Sequence, residues 1–196
     1  MGNRTRVFAK LAGLVVAVEP QYSCMESLQA EFKGNRKVIL VREAVGAKEG
    51  TGYLWPSGVL SSLSPAWIDA VRKSGRFSYH SWGDPYPVGI TTLDRLIQVF
   101  GVPSFVKIDV EGYEPEVLRG LSSPVGALSY EFTPECPWAS LECAQRLDAI
   151  GMDSFNYSLG ESMRMELAMW SSLGELSRHL AKYTDNTVFG DVYARG

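Results

Sequence analysis

At 196 residues, 45% of them hydrophobic and 21% charged, the chain has the length of one ordinary globular domain and can bury a sizeable core. A net charge of −3 with no basic run or lysine-arginine stripe argues against duplex DNA or RNA as a general partner. Three cysteines, Cys24, Cys136 and Cys143, form an odd set without a CxxC pair, which excludes a disulfide framework or zinc cluster and fits reduced thiols in the cytosol.

Residues 1–6 are too polar for a signal peptide, and the apolar run at 11–18 falls short of the ~20 residues a membrane span needs. A cytoplasmic chain without a transmembrane segment is expected. Residues 3–12 predict a helix with Val7, Phe8 and Leu11 on one face and Gly13 as its stop. Residues 14–18 read as a fully buried parallel strand ending in Glu19-Pro20. A helix follows over 22–32, closed by Gly34, then strands at 37–41 and 51–55. Residues 56–90 are the least regular stretch, within which Ser64-Pro65 can start a short helix through Val71.

Thr91 and Thr92 predict the cap of a helix to Phe100, and 105–110 a buried strand leading into Asp109 and Glu111. Helix at 115–121, strand at 127–132, helix at 141–150 and strand at 153–157 complete the alternation. His179 falls on a helix near the end, and 187–193 resembles a final strand. This order predicts an α/β fold, a mostly parallel twisted sheet with helices on both faces. With no repeat, low-complexity tract or linker, residues 1–196 read as a single domain.

In open α/β sheets ligands bind beyond the carboxyl ends of the strands. The polar residues there include Glu19, Glu43, Asp109, Glu111, Glu131 and Thr133. Gly2-Asn3 opens the first helix, and Glu19 ends the next strand 17 positions later. Dinucleotide-binding units place a ribose-binding acid about 20 residues after their glycines. Without the rest of a glycine loop, the pattern alone leaves Glu19 equally readable as a solvated strand end. Glu114 and Glu116 flank Pro115 at a helix start, where the helix dipole explains them without catalysis. Tyr157, Trp170 and 163–169 are expected to pack the far edge of the sheet.

Several segments together carry a family resemblance: Gly2-Asn3-Arg4-Thr5, Val15-Val16-Ala17-Val18-Glu19-Pro20-Gln21, Thr91-Thr92-Leu93-Asp94 and Tyr130-Glu131-Phe132-Thr133. The most specific is Lys107-Ile108-Asp109-Val110-Glu111-Gly112-Tyr113-Glu114. Over essentially its whole length the chain resembles the FkbM family of S-adenosylmethionine-dependent methyltransferases. The resemblance implies the Rossmann-like class I methyltransferase fold, S-adenosyl-L-methionine as cofactor, and O-methylation of a hydroxyl on a sugar, glycolipid or natural product. It assigns Gly2, with Asn3, to the end of the cofactor loop, Glu19 to the ribose, and Glu43-Ala44 to the adenine. Asp109 falls beside the reacting methyl group, with Glu111 near it as a second catalytic candidate. His80, within the aromatic segment 77–82, is a weaker base in a segment that could cover the acceptor. The stretch 138–143 could wall its pocket. No metal is required, because the acids look too dispersed for an octahedral oxygen site.

Family members carry an Asp-Val-Gly-Ala-Asn-type segment before the position of Gly2, and here Met1 stands where it should end. The first, central strand, between those ending at Glu19 and Asp109, is therefore expected to be absent. Three accounts compete: a natural start further upstream, a degenerate fragment, or a segment of a second chain filling the gap. Intact motifs elsewhere favour the first. An unfilled edge would also favour homo-oligomeric pairing. An inert scaffold or interaction protein is the rival reading, and a nicotinamide-dependent dehydrogenase rests only on the Gly-to-acid spacing.

Overall fold

The computed structural model describes residues 2–162, 164–183 and 188–196. Met163 and Thr187, which the sequence places at the far sheet edge and the start of the last strand, lie outside the described residues. The first half of the chain runs α1 (Asn3–Leu11), β1 (Val15–Val18), α2 (Tyr22–Glu31), β2 (Val38–Val41), β3 (Ala44–Val45) and β4 (Gly50–Leu54). After a 3-10 turn at Gly58–Leu60 come α3 (Pro65–Ser74), β5 (Tyr86–Thr91) and α4 (Leu93–Phe100). The remainder is β6 (Val106–Ile108), α5 (Glu114–Arg119), β7 (Leu128–Phe132), α6 (Pro137–Ala149), β8 (Ser154–Leu159), α7 (Leu173–Leu180) and β9 (Gly190–Arg195). No helix among the described residues is long and apolar enough to cross a membrane.

Three helix starts are capped by side chains. Ser64 Oγ accepts from the Trp67 amide with Pro65 at the first turn of α3, and Thr92 Oγ1 accepts from the Arg95 amide to open α4. Ser172 and Glu175 cap α7 reciprocally.

The expectation of one mostly parallel sheet is corrected. The strands form three sheets, β1–β2, β3–β5–β4 and β6–β7–β9–β8. The pairs β1–β2, β3–β5 and β6–β7 are parallel, whereas β4–β5, β7–β9 and β8–β9 are antiparallel. The last strand enters between β7 and β8 rather than extending the parallel order. The middle sheet is built on β5, a strand hidden in the sequence by Pro87 and Gly89. Pro87 is tolerated because it faces Tyr53 of β4 only, while β3 pairs no further than Ile90 and Thr91.

Among the described residues β1 pairs only with β2, and β6 only with β7. These are the two strands expected to flank the absent one. All four residues of β1 and all four of β2 are half-buried, and α1 contributes no buried residue. Two contacts near opposite strand ends relate the separate sheets. Phe8 of α1 meets Phe105, next to β6, at 5.7 Å between ring centroids, and Ser62 Oγ donates to the Glu111 carbonyl at 2.6 Å.

The main core lies around the four-stranded sheet. Leu128, Tyr130 and Phe132 of β7, Val192 and Ala194 of β9 and Phe155 of β8 pack with Leu118, Leu121 and Leu147. Period-two alternation puts the intervening residues on the opposite face, where Glu131 pairs across to Asp191 and Ser158 follows. That face is polar, and it carries the candidate site. A second cluster joins Trp67, Ile68 and Val71 of α3 to Trp82, Cys136 and Ala139.

Candidate active site

Strand β6 delivers Lys107 and Asp109, and the chain then turns sharply before α5. Glu111 has φ 52, the sole positive φ of a non-glycine among the described residues, and Gly112 follows at φ 85. A side chain at Gly112 would put its Cβ 2.2 Å from Trp67, so the turn closes only with glycine there. Glu114, buried at the first turn of α5, accepts from the Val110 amide at 3.1 Å and holds the turn from inside. Glu114 therefore does more than complement a helix dipole, the role its position suggested. Glu116, by contrast, pairs with Arg119 on the surface side.

The turn brings three carboxylates together. One oxygen each from Asp109, Glu111 and Glu131 lies within 4.8 Å of the others. The expectation that the acids are too dispersed for an oxygen site fails for these three, whose spacing could hold a cation. Lys107 already brings a positive charge to them, its Nζ 2.7 Å from Asp191 Oδ1 and 3.5 Å from Asp109 Oδ2. Burial alone would lower the Lys107 pKa, but Asp109 and Asp191 outweigh it and raise it.

Burial, then the neighbouring charges of Asp109 and Glu114, pushes Glu111 up to about 8. Burial, then Glu111, Asp109 and Glu114, pushes Glu131 up to about 9. At neutral pH both therefore hold their protons. Glu114 is pushed up to about 7 by burial, against the two backbone hydrogen bonds it accepts. A cationic ligand placed among these groups would favour their ionised forms, and an ionised carboxylate there can take a proton from a nearby hydroxyl.

The expected cofactor residues are placed less uniformly. Gly2 caps α1 in the left-handed conformation, φ 76, where a Cβ would meet Glu31 Oε2 at 2.8 Å. The cap has no side-chain hydrogen bond, and Asn3 begins the helix. Glu19 Oε1 accepts from the Gln21 amide at 2.8 Å, and burial raises its pKa against that bond. Gln21 Oε1 in turn accepts from Ser61 Oγ at 2.9 Å. Since Ser62 bonds the Glu111 carbonyl, the 61–62 pair connects Glu19's loop to the acid cluster. Glu43 lies against Gly89, and Ala44 is buried in β3. Among the described residues no hydrogen bond or ion pair joins Glu43 to Glu19 or Asp109.

The aromatic segment divides. Trp82 is core, donating Nε1–H to the Leu60 carbonyl, while Tyr79 is 81% exposed with the His80 ring 4.8 Å away. Arg76 stacks at 4.9 Å over both Phe77 and Phe189, pairs with Glu135 at 3.2 Å and lowers Glu111's pKa from nearby. In the stretch 138–143, Trp138 is exposed but Ser140 and Cys143 line a small cavity with Glu114 and Glu131. Sequence reasoning left Lys107, Asp191 and Ser62 without a role and named Glu131 only among the polar residues at the strand ends. Alternation along β6 and β7 aligns Lys107 with Ser129 and so puts Asp109 and Glu131 on one face, whereas Asp191 arrives from 60 or more residues away.

Comparison with curated proteins gives no match. The model of the methyltransferase FkbM domain matches residues 3–155, which include β1, the acid turn and β7. The match covers well over half of the sequence, and the chain belongs to the methyltransferase FkbM domain family.

Proposed function

We propose that this single domain is an S-adenosyl-L-methionine-dependent O-methyltransferase whose acceptor is a hydroxyl of a sugar, glycolipid or natural product. The observation that carries the reading is the convergence of Asp109, Glu111 and Glu131 on one spot at the carboxyl end of β6 and β7. Glu19 fits the ribose role: half-buried at the end of β1, its carboxylate already accepts from Gln21 and can accept a hydroxyl beside it. Gly2 fits a loop end, where the uncapped start of α1 offers amide N–H groups to a carboxylate.

When bound, the cofactor supplies a methyl group already activated by its sulfonium. The chain's own residues hold the acceptor oxygen in line, a contribution of about 7–11 kcal/mol where positioning is good. Asp109, the most exposed of the three acids, accepts the hydroxyl proton, and Glu111 flanks it. Lys107 and Arg76 limit the accumulated negative charge.

Among the described residues β1 and β6 each have one open edge, which leaves room for a further parallel strand between them. The same edges favour the rival, a scaffold of methyltransferase form that binds no cofactor. Calorimetric titration of S-adenosyl-L-methionine separates the two, using this chain and a form extended upstream. Binding by either form supports the enzyme, and no binding by both, with both folded, supports the scaffold. In a binding form, Glu19→Ala should weaken affinity by about ten- to a hundredfold, the loss of a charge-assisted hydrogen bond. Asp109→Ala should leave affinity nearly intact and slow turnover by roughly a hundredfold or more. Unchanged values in both variants would remove these assignments.

A further inference from the structure

A cavity of about 10 Å³ lies between β7, the Gly112–Glu114 turn and α6. Glu114, Glu131, Thr133, Cys136 and Ser140 are among the residues lining it, so its wall is polar for its size. Ser140 is 5% exposed, and its Oγ has no hydrogen-bond partner among the described residues. A helical serine usually turns its hydroxyl back to the carbonyl four residues earlier, here that of Cys136. Ser140 does not, and its own carbonyl is taken by the Tyr130 hydroxyl at 2.9 Å. A buried hydroxyl left without a partner costs about 1–3 kcal/mol, and native proteins rarely leave one.

The cavity's size selects the occupant. A volume of about 10–15 Å³ accommodates one water molecule and nothing larger, and a buried water needs two to four polar partners. An apolar cavity of this kind would stay dry, but Ser140, Glu114 and Thr133 make this one polar. We propose that the cavity is a binding site for one water molecule, held between Ser140 Oγ and the Glu114 carboxyl. The water gives the Ser140 hydroxyl its partner. It also steadies the Glu114 carboxyl, whose bond from the Val110 amide holds the turn of the acid cluster. Ser140 is thereby a positioning residue for that cluster, a consequence that rests on the methyltransferase reading, whereas the water site itself does not.

A crystal structure of the unaltered protein at a resolution that defines ordered water tests the site without any assay. The expected result is one water within about 2.6–3.2 Å of Ser140 Oγ and of the Glu114 carboxyl. A dry cavity, or Ser140 Oγ turned onto the Cys136 carbonyl, overturns the proposal. In solution, Ser140→Val fills the space of the hydroxyl and the water, and Ser140→Thr keeps the hydroxyl. Infrared spectra should show the protonated-carboxyl band that Glu114→Gln removes moving to higher wavenumber in the valine variant and returning in the threonine one. An unmoved band counts against the proposal. In an active form the valine variant should also lower kcat about five- to tenfold at unchanged cofactor affinity, with recovery by threonine. Loss of activity in every form would count against the enzyme reading and leave the crystallographic and infrared results standing.

Discussion

Lys107 carries the balance of charge beneath the acids. Its side chain and that of Asp191 are 14% and 15% exposed, so their ion pair is largely shielded from solvent. Removing one partner of such a pair leaves the other charge without compensation, at a cost of about 3–5 kcal/mol. Lys107→Met, which keeps the stem and deletes the charge, should therefore lower stability by that amount in urea unfolding. Adding Asp191→Asn should restore part of it, and equal stability of Lys107→Met and the parent would show that the pair is not shielded. The acids above it set a pH dependence. Glu111 and Glu131 have folded pKa values of about 8 and 9, above the ordinary 4.5, so the folded state holds protons that the unfolded chain releases. Their contribution is fully present below the ordinary value and is lost as pH rises through the raised ones. The urea midpoint should therefore fall as pH rises from 5 to 9, and Glu131→Gln should flatten the slope. A midpoint that rises with pH would contradict the protonated cluster.

At the scale of elements, the acid turn depends on the approach of α3 to the chain between β6 and α5. Gly112→Ala would drive Cβ to 2.2 Å from the Trp67 side chain and put a non-glycine residue at φ 85. Overpacking costs about 1–3 kcal/mol and the left-handed backbone roughly 1–2 more, so a loss near the top of that range is expected in urea unfolding. Thr92→Ala, which removes the cap of α4, should cost about 1 kcal/mol and leave the acid cluster intact. Local signals of this kind were legible in the sequence: Ser64-Pro65 and Thr92 mark helix starts, and the apolar run before Asp109 marks β6. The strand β5 was not, because Pro87 and Gly89 break the β pattern and its pairing with β3 and β4 is decided by contacts distant in sequence. For the same reason Asp109 and Glu111 were recognisable as candidates, while the third carboxylate and the Lys107–Asp191 pair needed the register of β6, β7 and β9 to be known.

Across the whole molecule, burial is unequal in a way that follows the sheets. Leu128, Ser129 and Tyr130 of β7 are almost wholly inaccessible, as are Val192 and Ala194 of β9, whereas every residue of β1 and β2 is half-buried. A two-stranded sheet with one neighbour per strand is marginal without further packing, and regions with few buried contacts open at free energies below global unfolding. Glu19, proposed to hold the ribose, sits at the end of the weaker sheet, and Asp109 at the edge strand of the stronger one. Their spacing is therefore only as fixed as the docking between the two sheets, which rests on contacts such as Phe8 with Phe105 and Ser62 with Glu111. Native-state hydrogen exchange should show amides of 15–18 and 38–41 exchanging through local opening, while those of 128–132 and 190–195 exchange only on global unfolding. A form carrying an additional strand between β1 and β6 should raise protection of 15–18 toward that of β7, because β1 would then be hydrogen-bonded on both sides. Equal protection of both sheets in this chain alone would mean that β1 is already held as firmly as β7, and that the gap needs no strand to complete the site.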